Sequence, residues 1–285
     1  MKPALKSRPE RERPAPERRS PTRRVPMMLV KEPGLRPALP PLLAFGAHPD
    51  DIEFGCGGVI AKETRAGRTV HFVICSRGEA ASHGTPAQRV IEANRSAALL
   101  GARLEFIELD GDAHLEVRAA HAIKLAGIIR RVRPGVVLAP SLAGNQHPDH
   151  PRLGQLVRDA CRLARYGGVK ELSTVRSGPA TEDGRRAPAH AIEQLFYYAV
   201  TPEAEPANIT PVFIDVSAPE ILAAWTAAME VHASQAASRN YVELQLTRAR
   251  LRGLRAGVGY AIALFPNDPL VLDSLAQVGR GARRF

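Results

Sequence analysis

The chain has 285 residues, of which 45% are hydrophobic and 24% are charged. This size and composition favour a globular protein with a substantial core over a disordered or fibrous one. No apolar run reaches the roughly 20 residues that a membrane-spanning helix requires, and the amino-terminal residues lack the apolar segment of a secretory signal. The three cysteines are odd in number and scattered. We therefore expect no disulfide framework and predict a cytoplasmic location.

The net charge of +10 is concentrated at the amino terminus. Residues 1–40 contain 11 Lys/Arg, four Glu and nine Pro. Such a segment cannot bury enough apolar surface to fold, so we predict a disordered basic tail over 1–40 and one globular domain over 41–285. A basic tail can bind nucleic acid or an anionic surface. We interpret this one as an unstructured extension and predict neither a nucleic-acid nor a membrane partner.

From residue 41 onward, short apolar or β-branched runs alternate with longer segments of helical periodicity. Strands are predicted at 42–47, 69–75, 104–109, 135–140, 194–200 and 211–216. Helices are predicted at 56–66, 86–100, 117–132, 151–165, 218–237 and 241–256. This alternation predicts βαβ units, and therefore a Rossmann-like α/β fold with a mostly parallel sheet flanked by helices.

Three further features bear on that fold. Gly55, Gly57 and Gly58 do not form the Gly-x-Gly-x-x-Gly pattern of a dinucleotide site, so we expect them to allow close packing between a helix and a strand. The stretch 167–190 has no periodicity and is predicted to be a mobile surface loop near the rim of the active site. Four arginines of the last helix form a charged face that is either solvated or in an oligomer contact. They are Arg248, Arg250, Arg252 and Arg255.

Two short clusters of histidine and aspartate follow predicted strands about a hundred residues apart. They are Ala47-His48-Pro49-Asp50-Asp51 and His147-Pro148-Asp149-His150. One cluster alone could be a turn with a helix cap. In an open α/β sheet, however, ligands bind outside the carboxyl ends of the strands, so both clusters are expected at the same edge. Their convergence favours a shared functional site.

The residue types in these clusters suit a catalytic zinc ion. His48 and Asp51 can chelate from one tight turn, because Pro49 fixes the backbone between them. Either His147 or His150 can supply the third ligand. Two histidines and one carboxylate leave a position open for water, as in zinc hydrolases.

The remaining groups of the clusters suit acid and base catalysis. Asp50 is free to take a proton from the attacking water. The histidine that is not a ligand can stabilise the oxyanion and protonate the leaving amine. Asp149 can orient that histidine through its other ring N–H.

The two clusters resemble the paired signature of the LmbE-like (PIG-L) family of zinc-dependent N-deacetylases. Ile52 stands where many members have Glu. The resemblance covers roughly residues 40–285 and is closest to the bacillithiol-biosynthesis branch, whose members deacetylate N-acetylglucosaminyl-malate. It implies an LmbE-like fold, an amino-sugar substrate, Zn²⁺ or Fe²⁺ as the cofactor, and assembly into trimers or hexamers.

The resemblance also implies a role for each site residue. The metal ligands would be His48, Asp51 and His150. Asp50 would be the general base, and His147 the acid or oxyanion stabiliser with Asp149 behind it. Arg89 and Asp112 would contact sugar hydroxyls.

The chain departs from the bacillithiol branch just before the second cluster. Several branch members have a basic residue there, which can meet the malate carboxylates, whereas this chain has Gln146. We assign Gln146 to substrate binding, but an amide cannot form the charge-assisted pair that Arg gives a carboxylate. Malate recognition would then require Arg77 or the 167–190 loop.

The sequence thus predicts a zinc-dependent hydrolase that removes acetyl from N-acetylglucosaminyl-malate or a related N-acetylglucosaminide. One alternative is a metallophosphoesterase, although two-metal phosphoesterases usually need more ligands than these clusters offer. The other is a non-catalytic protein that binds glycan or metal. The presence of Asp50 and His147 beside the ligands argues against it, since binding alone requires neither.

Overall fold

The computed structural model describes residues 38–174, 187–236, 240–277 and 281. Almost all of the predicted basic tail lies outside these residues. The strands are β1 Leu42–Gly46, β2 Val70–Ile74, β3 Arg103–Phe106, β4 Val136–Pro140, β5 Gln194–Tyr198, β6 Val212–Asp215 and β7 Ala261–Pro266. The helices are α1 Asp51–Arg65, α2 Pro86–Leu100, α3 Ala119–Val132, α4 Asp149–Ala164, α5 Lys170–Thr174, α6 Pro219–Glu230, α7 Ala233–Ala236 and α8 Tyr241–Ala256. None of the described helices has the length and hydrophobicity needed to cross a membrane.

The strands form one sheet in the order β3-β2-β1-β4-β5-β7-β6. The first five are parallel, and β7 runs antiparallel to both β5 and β6. The predicted α/β fold with a mostly parallel sheet is confirmed. Strand β7 was missing from the prediction because its short, fully apolar run has no alternation that would distinguish a strand from a buried helix.

Side chains on the two faces of the central strands enter separate apolar layers. Leu43 and Phe45 of β1 face the layer that α3 and α4 cover. Leu42 and Ala44 face the layer of α1, α6 and α8, which includes the buried Trp225. Strand β1 is apolar at four successive positions because both of its faces are covered.

Two helices begin earlier than the sequence pattern predicts, and this difference positions the two clusters. Helix α1 begins at Asp51 rather than at residue 56, and the Phe54 N–H already donates to the Asp50 carbonyl. Helix α4 begins at Asp149 rather than at residue 151. Each cluster therefore lies where a strand ends and a helix begins. The predicted helix 218–237 is instead two helices, α6 and α7, separated at His232.

The described ends of the 167–190 stretch lie away from the clusters. His190 donates its backbone N–H to Ala164, and its ring contacts the Pro134 carbonyl, which precedes β4. Leu172 of α5 packs in the α3 and α4 layer. The prediction of a loop at the active-site rim is wrong for His190, which flanks the amino end of β4, and for Lys170–Thr174, which form helix α5 against α3. Residues 175–186 lie outside the described part.

The glycines of α1 allow the close packing that the sequence predicts. A Cβ atom added to Gly55 would overlap the ring of Tyr198 on β5, and one added to Gly58 would lie 2.9 Å from the Ile262 side chain. The Tyr198 ring cannot move aside freely, because its hydroxyl donates to the Phe45 carbonyl over 2.7 Å. Helix α1 thus approaches the sheet more closely than a side chain would permit.

We expect Gly55→Ala to lower the free energy of unfolding by about 1–3 kcal/mol, because overpacking a filled interior costs that much. Gly127→Ala in α3 is the matched control, since its Cβ would meet only Leu172 at an ordinary 3.9 Å. The control should gain about 0.5–1 kcal/mol from helix propensity. Urea denaturation of both variants measures the difference. Equal midpoints for Gly55→Ala and the wild type would contradict the packing argument.

Candidate active site

The two clusters meet at the carboxyl edge of the sheet, where β1 and β4 are neighbours. A cavity of about 450 Å³ opens at this edge. Eight of the nine site residues expected from the sequence line it, and Asp149 is the exception. The eight are His48, Asp50, Asp51, Arg89, Asp112, Gln146, His147 and His150.

The environment of His48 determines which of its ring nitrogens is available to a metal. Its Nε2 lies 3.0 Å from Asp112 Oδ1 and 3.1 Å from Asp149 Oδ2. Because carboxylates only accept hydrogen bonds, Nε2 carries a proton, and Nδ1 is the ring nitrogen that a metal would bind. Burial alone would lower the pKa of His48, but the surrounding carboxylates raise it well above its usual value.

Gln146 orients the ring of His150 and sets which of its nitrogens faces the cavity. Its side-chain NH₂ donates to the Ser141 carbonyl over 2.9 Å and to the Ala143 carbonyl over 2.7 Å. Its Oε1 therefore faces His150 Nδ1, at 3.1 Å, and accepts a hydrogen bond from the N–H there. His150 Nε2, 3.0 Å from Asp51 Oδ1, is the ring nitrogen that a metal would bind in place of a proton.

The two ring nitrogens available to a metal face each other beside Asp51. His48 Nδ1 lies 3.3 Å from His150 Nε2, which in turn lies 3.0 Å from Asp51 Oδ1. Asp51 Oδ2 lies 3.6 Å from His48 Nδ1. Atoms bound at 2.0–2.2 Å to a tetrahedral zinc are roughly 3.3–3.6 Å apart. Two imidazole nitrogens and a carboxylate at this spacing fit a divalent metal.

His147 offers a different grouping. The ring nitrogens of His48, His147 and His150 also lie within 4.8 Å of one another. We favour Asp51 as the third ligand, because its oxygen is 3.0 Å from His150 and the residue is only 2% exposed. The His147 side chain is 39% exposed.

Asp51 is fixed by backbone amides as well as by histidines. Its Oδ2 accepts the N–H groups of Ala47 over 2.8 Å and His48 over 2.9 Å. The residue also begins α1, where the helix dipole stabilises negative charge. The carboxylate is therefore held in place before any metal binds.

Asp50 has a strained backbone and a constrained side chain. Its φ of 112° lies in the left-handed region that residues with a Cβ atom rarely adopt. Such strain is typical of functional sites, where surrounding contacts enforce it. Arg89 supplies two of these contacts, to the Pro49 carbonyl at 2.9 Å and to Asp50 Oδ2 at 3.3 Å. Burial raises the pKa of Asp50 to about 6, although the Arg89 guanidinium opposes that rise.

His147 presents one ring nitrogen to the cavity. Its Nδ1 lies 3.3 Å from the Asp149 backbone N–H, which donates to it. The neutral ring therefore carries its proton on Nε2. Burial lowers the pKa of His147, so the neutral form is favoured. A neutral imidazole of this kind still donates one hydrogen bond to a developing oxyanion.

Three residues have contacts different from those expected. Asp149 Oδ2 bonds His48, whereas His147 Nδ1 is 3.9 Å from it, beyond hydrogen-bond distance. Asp112 is 5% exposed and also contacts His48. Arg89 is 4% exposed, and its guanidinium donates hydrogen bonds to Asp50 Oδ2 and to backbone carbonyls. The structure shows these contacts within the protein. The roles of the three residues toward substrate stay predictions.

Sequence reasoning missed the orienting contact of Gln146. The only signal was its position four residues before His150, which lets the two side chains meet at a helix start.

The sequence also gave no indication of the aromatic wall of the cavity, where Phe54 and Tyr241 have ring centroids 5.5 Å apart. Tyr241 lies about 190 residues from Phe54, so no local pattern links them.

Comparisons with known proteins identify the family of the chain. The family model "PIG-L: GlcNAc-PI de-N-acetylase" matches residues 43–161. An uncharacterized deacetylase of Escherichia coli K12, YaiS, is 31% identical over 128 residues, which are 42% of this chain and 68% of that protein. The fold and site define a metal-dependent hydrolase of the N-deacetylase class. The chain belongs to the PIG-L family, as the sequence signature predicts.

Two other relatives are named for different reactions, a deacetylation and a hydration. The diacetylchitobiose deacetylase of Thermococcus kodakarensis is 28% identical over 205 residues, covering 68% of this chain and 69% of that enzyme. The 4-oxalmesaconate hydratase of Pseudomonas putida is 32% identical over 149 residues, covering 48% of this chain and 57% of that enzyme.

Solved structures support the same fold. The conserved protein TT1542 from Thermus thermophilus has a TM-score of 0.67 and 28% identity. The alignment covers 84% of this chain and 99% of that one.

We expect Gln146→Ala to weaken metal binding about 10–100-fold, as is usual when the partner that orients a histidine ligand is lost. Asn145→Ala is the matched control, because Asn145 is the exposed neighbour. Competition with a chromogenic chelator measures both affinities. Equal affinity in Gln146→Ala and the wild type would show that the amide does not orient His150.

Proposed function

We propose that this protein is a zinc-dependent deacetylase of N-acetylglucosaminides with an uncharged aglycone. The observation that carries the proposal is the convergence of His48 Nδ1, His150 Nε2 and Asp51 Oδ1 beside Asp50 and His147 in one cavity. A zinc ion held by these three ligands would polarise the acetamide carbonyl and make water a better nucleophile. Ferrous iron is the alternative metal.

Asp50 acts as the general base in this proposal. It is not one of the three ligand residues, and Arg89 holds its carboxylate from the buried side. Asp50 takes a proton from the water that attacks the acetamide carbon. Positioned bases of this kind contribute roughly 10²–10⁴-fold to rate.

His147 completes the reaction. Its Nε2–H donates to the oxyanion that develops on the acetamide oxygen, and the proton that Asp50 took from water passes to the nitrogen as the C–N bond breaks. The products are acetate and the free amine. Asp149 supports the site through its N–H to His147 and its carboxylate to His48.

The charge of the cavity favours a neutral substrate. Arg89 is the one arginine or lysine among the described residues that line it, and its Nη1 and Nη2 donate within the protein. Gln146 likewise donates to backbone carbonyls. Asp50 and Asp112 add negative charge, so a malate aglycone would gain no cationic side chain as a partner from these residues. Phe54 and Tyr241 offer an aromatic surface for a sugar ring.

The diacetylchitobiose deacetylase among the relatives acts on a neutral amino sugar of this kind, which supports the choice. Phosphate esters and unsaturated polycarboxylates are anionic, so the same charge argument disfavours a phosphoesterase or a hydratase activity. A cytoplasmic location and assembly into trimers or hexamers stay predictions from the sequence.

We expect zinc-loaded protein to release amine from diacetylchitobiose, with a kcat/KM at least about tenfold above that for N-acetylglucosaminyl-malate. A chelated sample is the control. Preference for the malate compound would overturn the neutral-substrate proposal while keeping the deacetylase. Turnover of a dicarboxylate or a phosphate ester, with no amine released from either sugar, would overturn the proposed function itself.

We expect Asp50→Asn to lower kcat about 10²–10⁴-fold with metal content unchanged, because the base is lost and the ligands remain. Asp159→Asn on α4 is the matched control, since that aspartate is 37% exposed and outside the cavity. Amine release and metal analysis of both variants provide the test. Full activity in Asp50→Asn would rule out its role as the base.

A further inference from the structure

Arg248 of α8 is buried, contrary to the charged face that the sequence suggests. It is 8% exposed. Its guanidinium donates to three successive carbonyls, with the shortest bonds to Val200 at 2.9 Å and Thr201 at 3.3 Å, and two of 3.4 Å to Ala199. It also donates to Gln245 Oε1 over 2.7 Å and to Glu205 Oε1 over 3.0 Å.

Burying a guanidinium is costly unless its donors are satisfied. Burial lowers the pKa of Arg248 to about 10, so it remains charged at neutral pH. The planar fork of donors matches several carbonyls at once, which a lysine cannot do. The cost is therefore offset only while residues 199–201 keep this particular backbone conformation.

The segment that Arg248 holds is a wall of the active-site cavity. Val200 and Thr201 follow β5 at the carboxyl edge of the sheet, and both line the cavity. Gln245, one turn before Arg248, donates to the same Val200 carbonyl over 2.8 Å. Helix α8 thus fixes this wall from behind with two side chains.

A second anchor holds the far end of the segment. The Ser141 hydroxyl donates to the Ala204 carbonyl, and Glu205 pairs with both Arg248 and Arg252. Residues 199–205 are therefore fixed at both ends by buried polar contacts. None of these contacts involves a proposed metal ligand.

We propose that Arg248 is a positioning residue that fixes the Val200–Thr201 wall and thereby determines substrate affinity. It touches neither the metal ligands nor Asp50, so it acts on KM rather than on the chemical step. This inference rests on the proposed function for its kinetic test, and on the backbone contacts alone for its structural test.

The kinetic test compares Arg248→Gln and Arg248→Lys with Arg250→Gln. Arg250 is the matched control, because it lies on the same helix, is exposed, and donates to a carbonyl outside the cavity, that of Gly259. We expect KM for diacetylchitobiose to rise at least about tenfold in Arg248→Gln, with kcat within about threefold and metal affinity unchanged. Arg248→Lys should recover part of the loss, and Arg250→Gln should match the wild type.

Hydrogen exchange followed by mass spectrometry tests the contacts without any substrate. We expect faster exchange in residues 199–205 of both Arg248 variants and no change there in Arg250→Gln. If the wild type deacetylates no sugar, the proposed function fails, and exchange still decides the positioning role. Three results for Arg248→Gln would each overturn the inference. They are unchanged exchange in 199–205, a KM within twofold of the wild type, and a loss of metal affinity as large as the rise in KM.

Discussion

Two histidine nitrogens facing each other at 3.3 Å, with a carboxylate beside them, are the constraint on which the rest of the site depends. The two nitrogens face each other because the opposite ring nitrogens are committed as donors. A proton between them makes the contact a hydrogen bond, and a divalent metal in its place would make the same atoms a ligand set. The neighbouring strands β1 and β4 supply the two histidines, so the sheet order itself brings them together.

The second constraint is the amount of negative charge taken out of water. Asp51, Asp112 and Asp149 are each at most 5% exposed. Their charge is balanced by backbone N–H groups, by the histidine N–H groups and by Arg89. The protein uses these donors internally, and few remain for a charged ligand. The proposed selectivity for an uncharged substrate would then be a by-product of stabilising the proposed metal ligands.

Much of this could be predicted from the sequence, because the decisive signals are local. The clusters themselves, their place after β1 and β4, and the parallel sheet all follow from motifs and strand patterns. The contacts of Gln146 and Arg248 could not be predicted, because they depend on burial and on partners distant in the chain. Arg248 looks like any arginine of an exposed helix until its carbonyl partners are known. The early starts of α1 and α4 were missed because Pro, Asp and Gly weaken helical periodicity there.

The proposed ligands lie about a hundred residues apart on strands joined only through crossovers. An unfolded chain therefore presents no preformed site, and the metal binds only after this long-range pairing has formed. Binding that is exclusive to the folded state adds RT ln(1 + [M]/Kd) to stability, about 2.7 kcal/mol when free metal is a hundred times Kd. The ion would then be part of what keeps the sheet assembled, and metal starvation would remove stability together with activity.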